Sequence, residues 1–198
     1  MSLVPTYPFF IHINMACENL SRNRSLECRD SVGGLKNVYF INYGDYAYSE
    51  VDFDNTNTDV ITQLDDTGVE AYKYELKGTS SFTQNVTSSR ENGTTFFEQV
   101  LELTLQGLTS ADHIDIDNIA KGRPVVLVED YNENVFVVGL EHGTDVTGGT
   151  VVTGATMGDL SGYTLTLTGM ERMPANFLNF VTDVATTLST ANVDVYTP

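Results

Sequence analysis

"TTFFEQVLELTLQGL", Thr94 to Leu108, decides the fold class of this chain. Phe97, Leu101, Leu103 and Leu105 alternate with Glu98, Glu102, Thr104 and Gln106. A two-residue period puts the two sets on opposite sides of a pleated strand, so the first set is expected in a core and the second against water. Gln99 and Val100 break the alternation, which marks either a bulge or a special contact. Just upstream lies "RENG", Arg90 to Gly93. Asn92-Gly93 is a strong hairpin signal, because glycine accepts a positive φ without a steric penalty. The partner strand is read from "KYELKGTSSFTQNVTSS", Lys73 to Ser89. Both strands of this hairpin are expected to run over about ten residues each, longer than the usual ~5–6.

Working outward, "GYTLTLTGMERMPANFL" (Gly162 to Leu178) repeats the alternation. Tyr163, Leu165 and Leu167 form one face, and Thr164, Thr166 and Thr168 the other. A sheet face of hydroxyls without charge asks for an explanation. "GTVVTGATMGDLSGYTLTLTGME" reads as a strand pair joined by tight turns. "RPVVLVEDYNENVFVVGL" (Arg123 to Leu140) is a hairpin whose strands are apolar at nearly every position, so both faces are expected to be covered. "LKNVYFIN" (Leu35 to Asn42) is a further strand, and "YGDYAYSEVDFDNTNTD" an acidic loop with some strand character. "DVITQLDDTGVEAYKYEL" reads as a hairpin turning at Asp65-Asp66-Thr67-Gly68.

One helix is expected in the middle of the chain, in "LTSADHIDIDNIAKG" (Leu108 to Gly122). Thr109 or Ser110 caps it, Asp112 suits the first turn, Ile116, Ile119 and Ala120 make the buried stripe, and Gly122 ends it. After Pro174 the period becomes 3.6, with Phe177, Phe180, Val181, Val184 and Leu188 on one face. That spacing predicts an amphipathic C-terminal helix, although "TTLST" is a weak helix former. The expected architecture is mainly β: an antiparallel β-sandwich or barrel with one flanking α-helix and a long hairpin, plus terminal arms. The domain reading is an N-terminal arm over 1–33, a β domain over 34–175 and a C-terminal helix or extension over 176–198.

Bulk properties narrow the function. The 198 residues carry 10 Lys and Arg against 27 Asp and Glu, a formal charge of −17. Surfaces that grip phosphates or anionic lipids need the opposite balance. Eight acids and no Lys or Arg lie between Asn37 and Tyr72, while Arg22, Arg24 and Arg29 cluster near the N-terminus. Cys17 and Cys28 make no metal framework. They are read as two thiols, with a single disulfide as the other option. No run approaches the ~18 apolar residues of a membrane span. "MSLVPTYPFFIHINMA" lacks a basic leader and is read as an extended arm.

Several motifs invite chemistry. Asp66-Thr67-Gly68 spells the aspartic-protease triplet, but it stands where a hairpin needs a turn. Asp130, Asn132, Asn134 and Glu141 imitate a calcium loop, yet the sixth position is Val135 and strands flank it. The loop Asp54 to Asp59 is an acidic candidate for a cation. His142 near Asp145 suggests a dyad without a nucleophile elbow to complete it, and His113 beside Asp112 reads as a solvated helix-start residue. No phosphate-cradling glycine motif is present in Gly143 to Gly162. The sequence therefore predicts neither catalytic nor cofactor nor metal residues. A small hydrolase using Asp66 or His142 is the competing class.

Four stretches carry a family resemblance: "SVGGLKNVYFINYGD", "YKYELKGTSSFTQNVTSSRENGTTFFEQVLELTLQGL", "AKGRPVVLVEDYNENVFVVGLEHGTDVTGGT" and "GATMGDLSGYTLTLTGMERMPANF". Across roughly residues 31–178 the chain resembles virion structural proteins of tailed bacteriophages, and the order of elements is similar to the tail-tube fold. The resemblance lies in overall pattern, not in a diagnostic motif. It implies a non-enzymatic subunit of the virion tail, assembled in the host cytoplasm. Such subunits form homo-oligomeric, typically hexameric, rings that stack around a channel for double-stranded DNA. It implies other tail or neck proteins as partners and no membrane. A head–tail connector, tail terminator or capsid decoration protein is the alternative role. On this reading Glu98, Glu102, Thr104 and Gln106 face the lumen. Phe9, Phe10, Ile11, Asn92, Gly93, Phe177 and Phe180 meet neighbouring subunits. On this reading the threonine face wets a channel without binding phosphates; the alternative is that Thr164, Thr166 and Thr168 face outside solvent.

Overall fold

A computed structural model describes residues 31–65, 68–77, 79–179 and 184–196. The chain divides into the units Met1–Asp30 and Ser31–Pro198, and the description concerns the second. It is mainly β, with twelve strands in two sheets.

The larger sheet holds eight strands. In chain order they are β1 (Leu35–Ile41), β2 (Asp52–Phe53), β3 (Val60–Gln63), β4 (Val69–Glu75), β7 (Val125–Asp130), β8 (Val135–Val138), β11 (Asn176–Leu178) and β12 (Val193–Val195). Their order across the sheet is β12-β4-β1-β7-β8-β11-β3-β2. The smaller sheet holds β5 (Ser81–Ser89), β6 (Thr94–Gln106), β9 (Asp145–Val152) and β10 (Gly162–Glu171), in the order β5-β6-β10-β9. Every pairing in it is antiparallel.

The apolar runs of β1, β7 and β8 explain the layering. Tyr39, Ile41, Val125, Leu127, Val135 and Val137 point to one cluster, joined by Ile61, Leu64, Val69, Ala71, Leu178, Leu188 and Val193. Val38, Phe40, Val126, Val128 and Val138 point the other way. There they pack on Leu101, Leu103, Leu105, Tyr163, Leu165 and Leu167 of the small sheet. The large sheet is thus covered on both faces, as its near-continuous hydrophobicity predicts.

The large sheet also curls. β3 and β4 stand five places apart, about 24 Å at ~4.8 Å per strand. The link Leu64–Gly68 is shorter than that even fully extended, at most about 21 Å. Curling lets the Leu64 N–H donate to the Ala191 carbonyl at 3.0 Å, between β3 and the start of β12. Among the described residues no strand ladder closes the sheet, so of the two expected architectures the sandwich holds and the barrel does not.

Helix α1 (Ser110–Lys121) flanks the second cluster. Thr109 caps it, its side chain accepting from the Asp112 N–H at 3.1 Å. The Gly122 N–H closes the last turn on Asn118. Ile116 and Ile119 face the core, but Ala120 is exposed and drops out of the expected stripe.

Three further expectations are corrected. "DVITQLDDTGVEAYKYEL" is not a hairpin: β3 pairs with β2 and β11, and β4 with β1 and β12. "KYELKGTSSFTQNVTSS" is not one strand: β4 ends at Glu75 in the large sheet, and β5 begins at Ser81 in the small one. The residues after Pro174 form no long helix. They give strand β11, then helix α2 (Val184–Thr190), then β12. β11 and β12 make parallel pairs with β3 and β4, so the large sheet is mixed.

Candidate functional site

The small sheet is the distinctive surface. Its inner face is buried by the large sheet, and its outer face carries no protein among the described residues. β6 is 13 residues long, as expected, whereas β5 is nine and falls short of the expected length. Cross-strand partners share a face. Ser81, Thr83, Asn85 and Thr87 therefore stand beside Glu102, Val100, Glu98 and Phe96. Thr164, Thr166 and Thr168 stand beside Thr104, Glu102 and Val100. Register is unbroken along β6, so Gln99 marks no bulge. Gln99 points inward, 1% exposed, and its Oε1 accepts from the Gly139 N–H at 2.9 Å. It ties the long strand to the turn after β8.

All four residues assigned to a wet face lie on this outer face. Glu102 and Gln106 are exposed; Glu98 and Thr104 are half-buried. Glu98 accepts from the Asn85 amide at 3.3 Å and Glu102 from the Ser81 hydroxyl at 3.4 Å. No cation pairs with either carboxylate among the described residues. Threonines bond one another across the sheet: Thr150 with Thr164 at 2.7 Å and Thr147 with Thr168 at 3.1 Å. Four of the threonine hydroxyls thus bond in two pairs, and the four strands hold no Lys or Arg.

Among the described residues the same sheet has two unpaired edges, β5 and β9. Both are highly exposed along their length. Each carries an inward-side valine left open, Val86 at 64% and Val151 at 55%. Asn92 and Gly93 are exposed at the hairpin tip, with Gly93 at φ 63°. Phe177 does not project from an arm. It is half-buried in β11, its ring 4.6 Å from Phe136. Phe9, Phe10, Ile11 and Phe180 lie outside the described residues, as do Cys17, Cys28 and Asp66.

The tempting motifs resolve into turn chemistry. Asp130 Oδ1 accepts from the N–H groups of Asn132 and Asn134, both at 2.8 Å, in the β7–β8 turn. Asp54 likewise accepts from the N–H groups of Thr56 and Asn57. His142 faces Glu171, not Asp145, with Nδ1 3.1 Å from Oε2. Asp145 lies 3.7 Å from Arg123. Glu141, His142 and Glu171 offer ligand atoms within 4.8 Å of one another, the spacing of a metal site. Both Glu171 oxygens are already engaged, Oε1 by two backbone N–H groups and Oε2 by His142. Arg172 occupies Glu141 through both carboxylate oxygens. The adjoining cavity, lined by Tyr48, Gln99, Glu141 and Glu171 among others, is about 10 Å³, the size of a single water.

Sequence reasoning missed the buried acids Glu129 and Glu171. Glu129 is 1% exposed and sits between Asn37, Tyr39 and Lys36 at 2.6, 2.8 and 2.7 Å. Burial pushes its pKa up, but the hydrogen bonds from Asn37, Lys36 and Tyr39, with the Lys36 charge, outweigh burial and leave the pKa lowered. A lowered folded pKa stabilises above the ordinary carboxylate value and loses that contribution as pH falls through the folded value. Stability measured by denaturant titration should therefore decline as pH drops below about 4.5. Glu129→Gln should flatten that decline while keeping a hydrogen-bonding side chain in place. An unchanged acid limb in the variant would contradict the assignment.

Comparison with protein-family models, curated proteins and solved structures finds no match. The functional reading therefore rests on geometry and on the sequence resemblance.

Proposed function

We propose that this protein is a structural subunit of a bacteriophage tail, without catalytic activity, that closes into rings through its four-stranded sheet. Six copies are the expected number, and the rings stack into, or cap, the tube through which DNA passes. The observation that carries the reading is a sheet with two free edges and one free face.

Strand direction supports closure. Three antiparallel steps separate β5 from β9, so these edges run in opposite directions. In a rotationally symmetric ring, β9 of one copy would meet β5 of the next antiparallel, continuing the alternation without a break. Pairing removes both exposed edges, which otherwise invite unspecific association. It also brings the open Val86 and Val151 onto the same side of a continuous sheet. Six copies of four strands make 24. At about 4.8 Å per strand with tilt, that closes a ring roughly 40 Å or more across, wide enough for a duplex.

Only one face is free to line such a channel. The large sheet and α1 cover the inner side of the small sheet, so they must stand outside the ring. The threonine face then turns to the lumen, with Glu98 and Glu102 repelling phosphates and hydroxyls keeping the wall wet.

Amide hydrogen exchange tests this. Going from dispersed to assembled protein, Ser81–Ser89 and Asp145–Val152 should gain protection together, because both edges enter one ladder. Assembly without protection at either edge would refute closure through this sheet. A connector or terminator ring gives the same protection but does not stack, so elongated stacks in electron micrographs separate the tube from those roles.

A further inference from the structure

We infer that Asn92 is a site of spontaneous deamidation, converting to aspartate and isoaspartate and so adding a charge at the hairpin tip. The inference stands independently of the tube reading.

The chemistry is intramolecular. The Gly93 backbone nitrogen loses its proton to hydroxide or water and attacks the Asn92 side-chain carbonyl carbon. A C–N bond forms, the bond to the amide nitrogen breaks, and ammonia leaves, giving a five-membered succinimide. Water then opens either carbonyl, yielding aspartate or isoaspartate. The sum is asparagine plus water giving acid plus ammonia, with no oxidant or reductant.

Four features favour the step here. Asn92 is the only asparagine in the chain followed by glycine, the residue that least obstructs attack at its own nitrogen. Both residues are exposed, and a Cβ added to Gly93 would meet nothing within 4 Å. The Asn92 carboxamide and the Gly93 N–H enter no hydrogen bond among the described residues; only the Asn92 backbone N–H does, to the Ser89 hydroxyl at 3.3 Å. Lastly, β10 pairs with β6 only as far as Phe97, while β5 continues to Ser89 opposite Thr94. The tip is a two-stranded ribbon beyond the sheet, and such ribbons are marginal and pliable. By contrast, Asn37 and Asn176 are buried and Asn85 is fixed in a strand.

The test is incubation of the full chain at neutral and alkaline pH, followed by peptide mapping by mass spectrometry. Asn92 should convert severalfold faster than any other asparagine, to both acid isomers, and faster as pH rises. In Asn92→Gln the acidic species that accumulates on ion exchange should disappear while the melting temperature stays the same. Gly93→Ala should slow conversion severalfold. Should that variant fold poorly, a pH-accelerated mixture of isomers at Asn92 in the unaltered chain still decides. Asn92 persisting as long as Asn85 and Asn118, or an unchanged acidic fraction in Asn92→Gln, would overturn the inference.

Discussion

Deleting residues 176–198 should abolish cooperative folding, not merely assembly. The segment reads as an appendage in sequence, but its described residues build the interior. Leu178, Leu188, Ala191 and Val193 are each under 4% exposed, and Val184 is 9% exposed. β11 fills the place between β8 and β3, and β12 forms the edge beside β4. Burying a Leu or Val side chain contributes about 1.5–3 kcal/mol. Losing several, with two strands of ladder, consumes most of a typical stability of ~5–15 kcal/mol. The truncated chain should show no sigmoidal thermal transition and should bind hydrophobic dyes. A native-like melting curve would show that the segment is dispensable and that the first core cluster closes without it.

The second large effect is expected at the wet face. Glu98→Lys with Glu102→Lys should leave the melting temperature within a few degrees, because Glu102 is exposed and Glu98 only half-buried, with neutral partners. In a sixfold ring the pair would turn a band of carboxylates into twelve ammonium groups facing DNA. Engaging 6–10 phosphates typically changes affinity by ~10³–10⁵ between 50 and 200 mM salt. Particles carrying the variant should therefore release DNA much more slowly at low salt and recover as salt rises. Release as fast as in the unaltered particle, at every ionic strength, would remove these residues from the channel.

The sequence disclosed what local chemistry dictates and hid what distant partners decide. Alternation in β6 and β10 survives except at Phe97, which is only half-buried, since Leu101, Leu103, Leu105, Leu165 and Leu167 must all leave water. Thr109 and Gly122 bound α1 because a cap is set within a single turn. The sequence Asp65 to Gly68 has hairpin chemistry, yet the flanking strands pair with other neighbours, β3 with β2 and β11 and β4 with β1 and β12. A turn signal says that the chain reverses, not which strands then pair. The 3.6-residue spacing after Pro174 was misleading for a related reason. Phe177 belongs to a strand held between Val60 and Phe136 and packs on the Phe136 ring, on the side of the second cluster, while Val184 and Leu188 belong to a short helix in the first. Buried residues from successive elements imitate one helical stripe. Gln99 stood out as a break in the alternation, but its partner Gly139 lies 40 residues away, and Glu129 was illegible because Asn37 and Tyr39 lie 92 and 90 residues away. The wet face was legible by side, since polarity alternates, but its free edges appear only once strand order is known.

Electron cryomicroscopy of the assembled protein tests the central claim most directly. The account predicts closed rings in which β9 of each copy pairs antiparallel with β5 of the next. Glu98, Glu102 and the Thr164, Thr166 and Thr168 row should line the channel. Rings that close through other surfaces, or that carry these carboxylates on the outer wall, would contradict it.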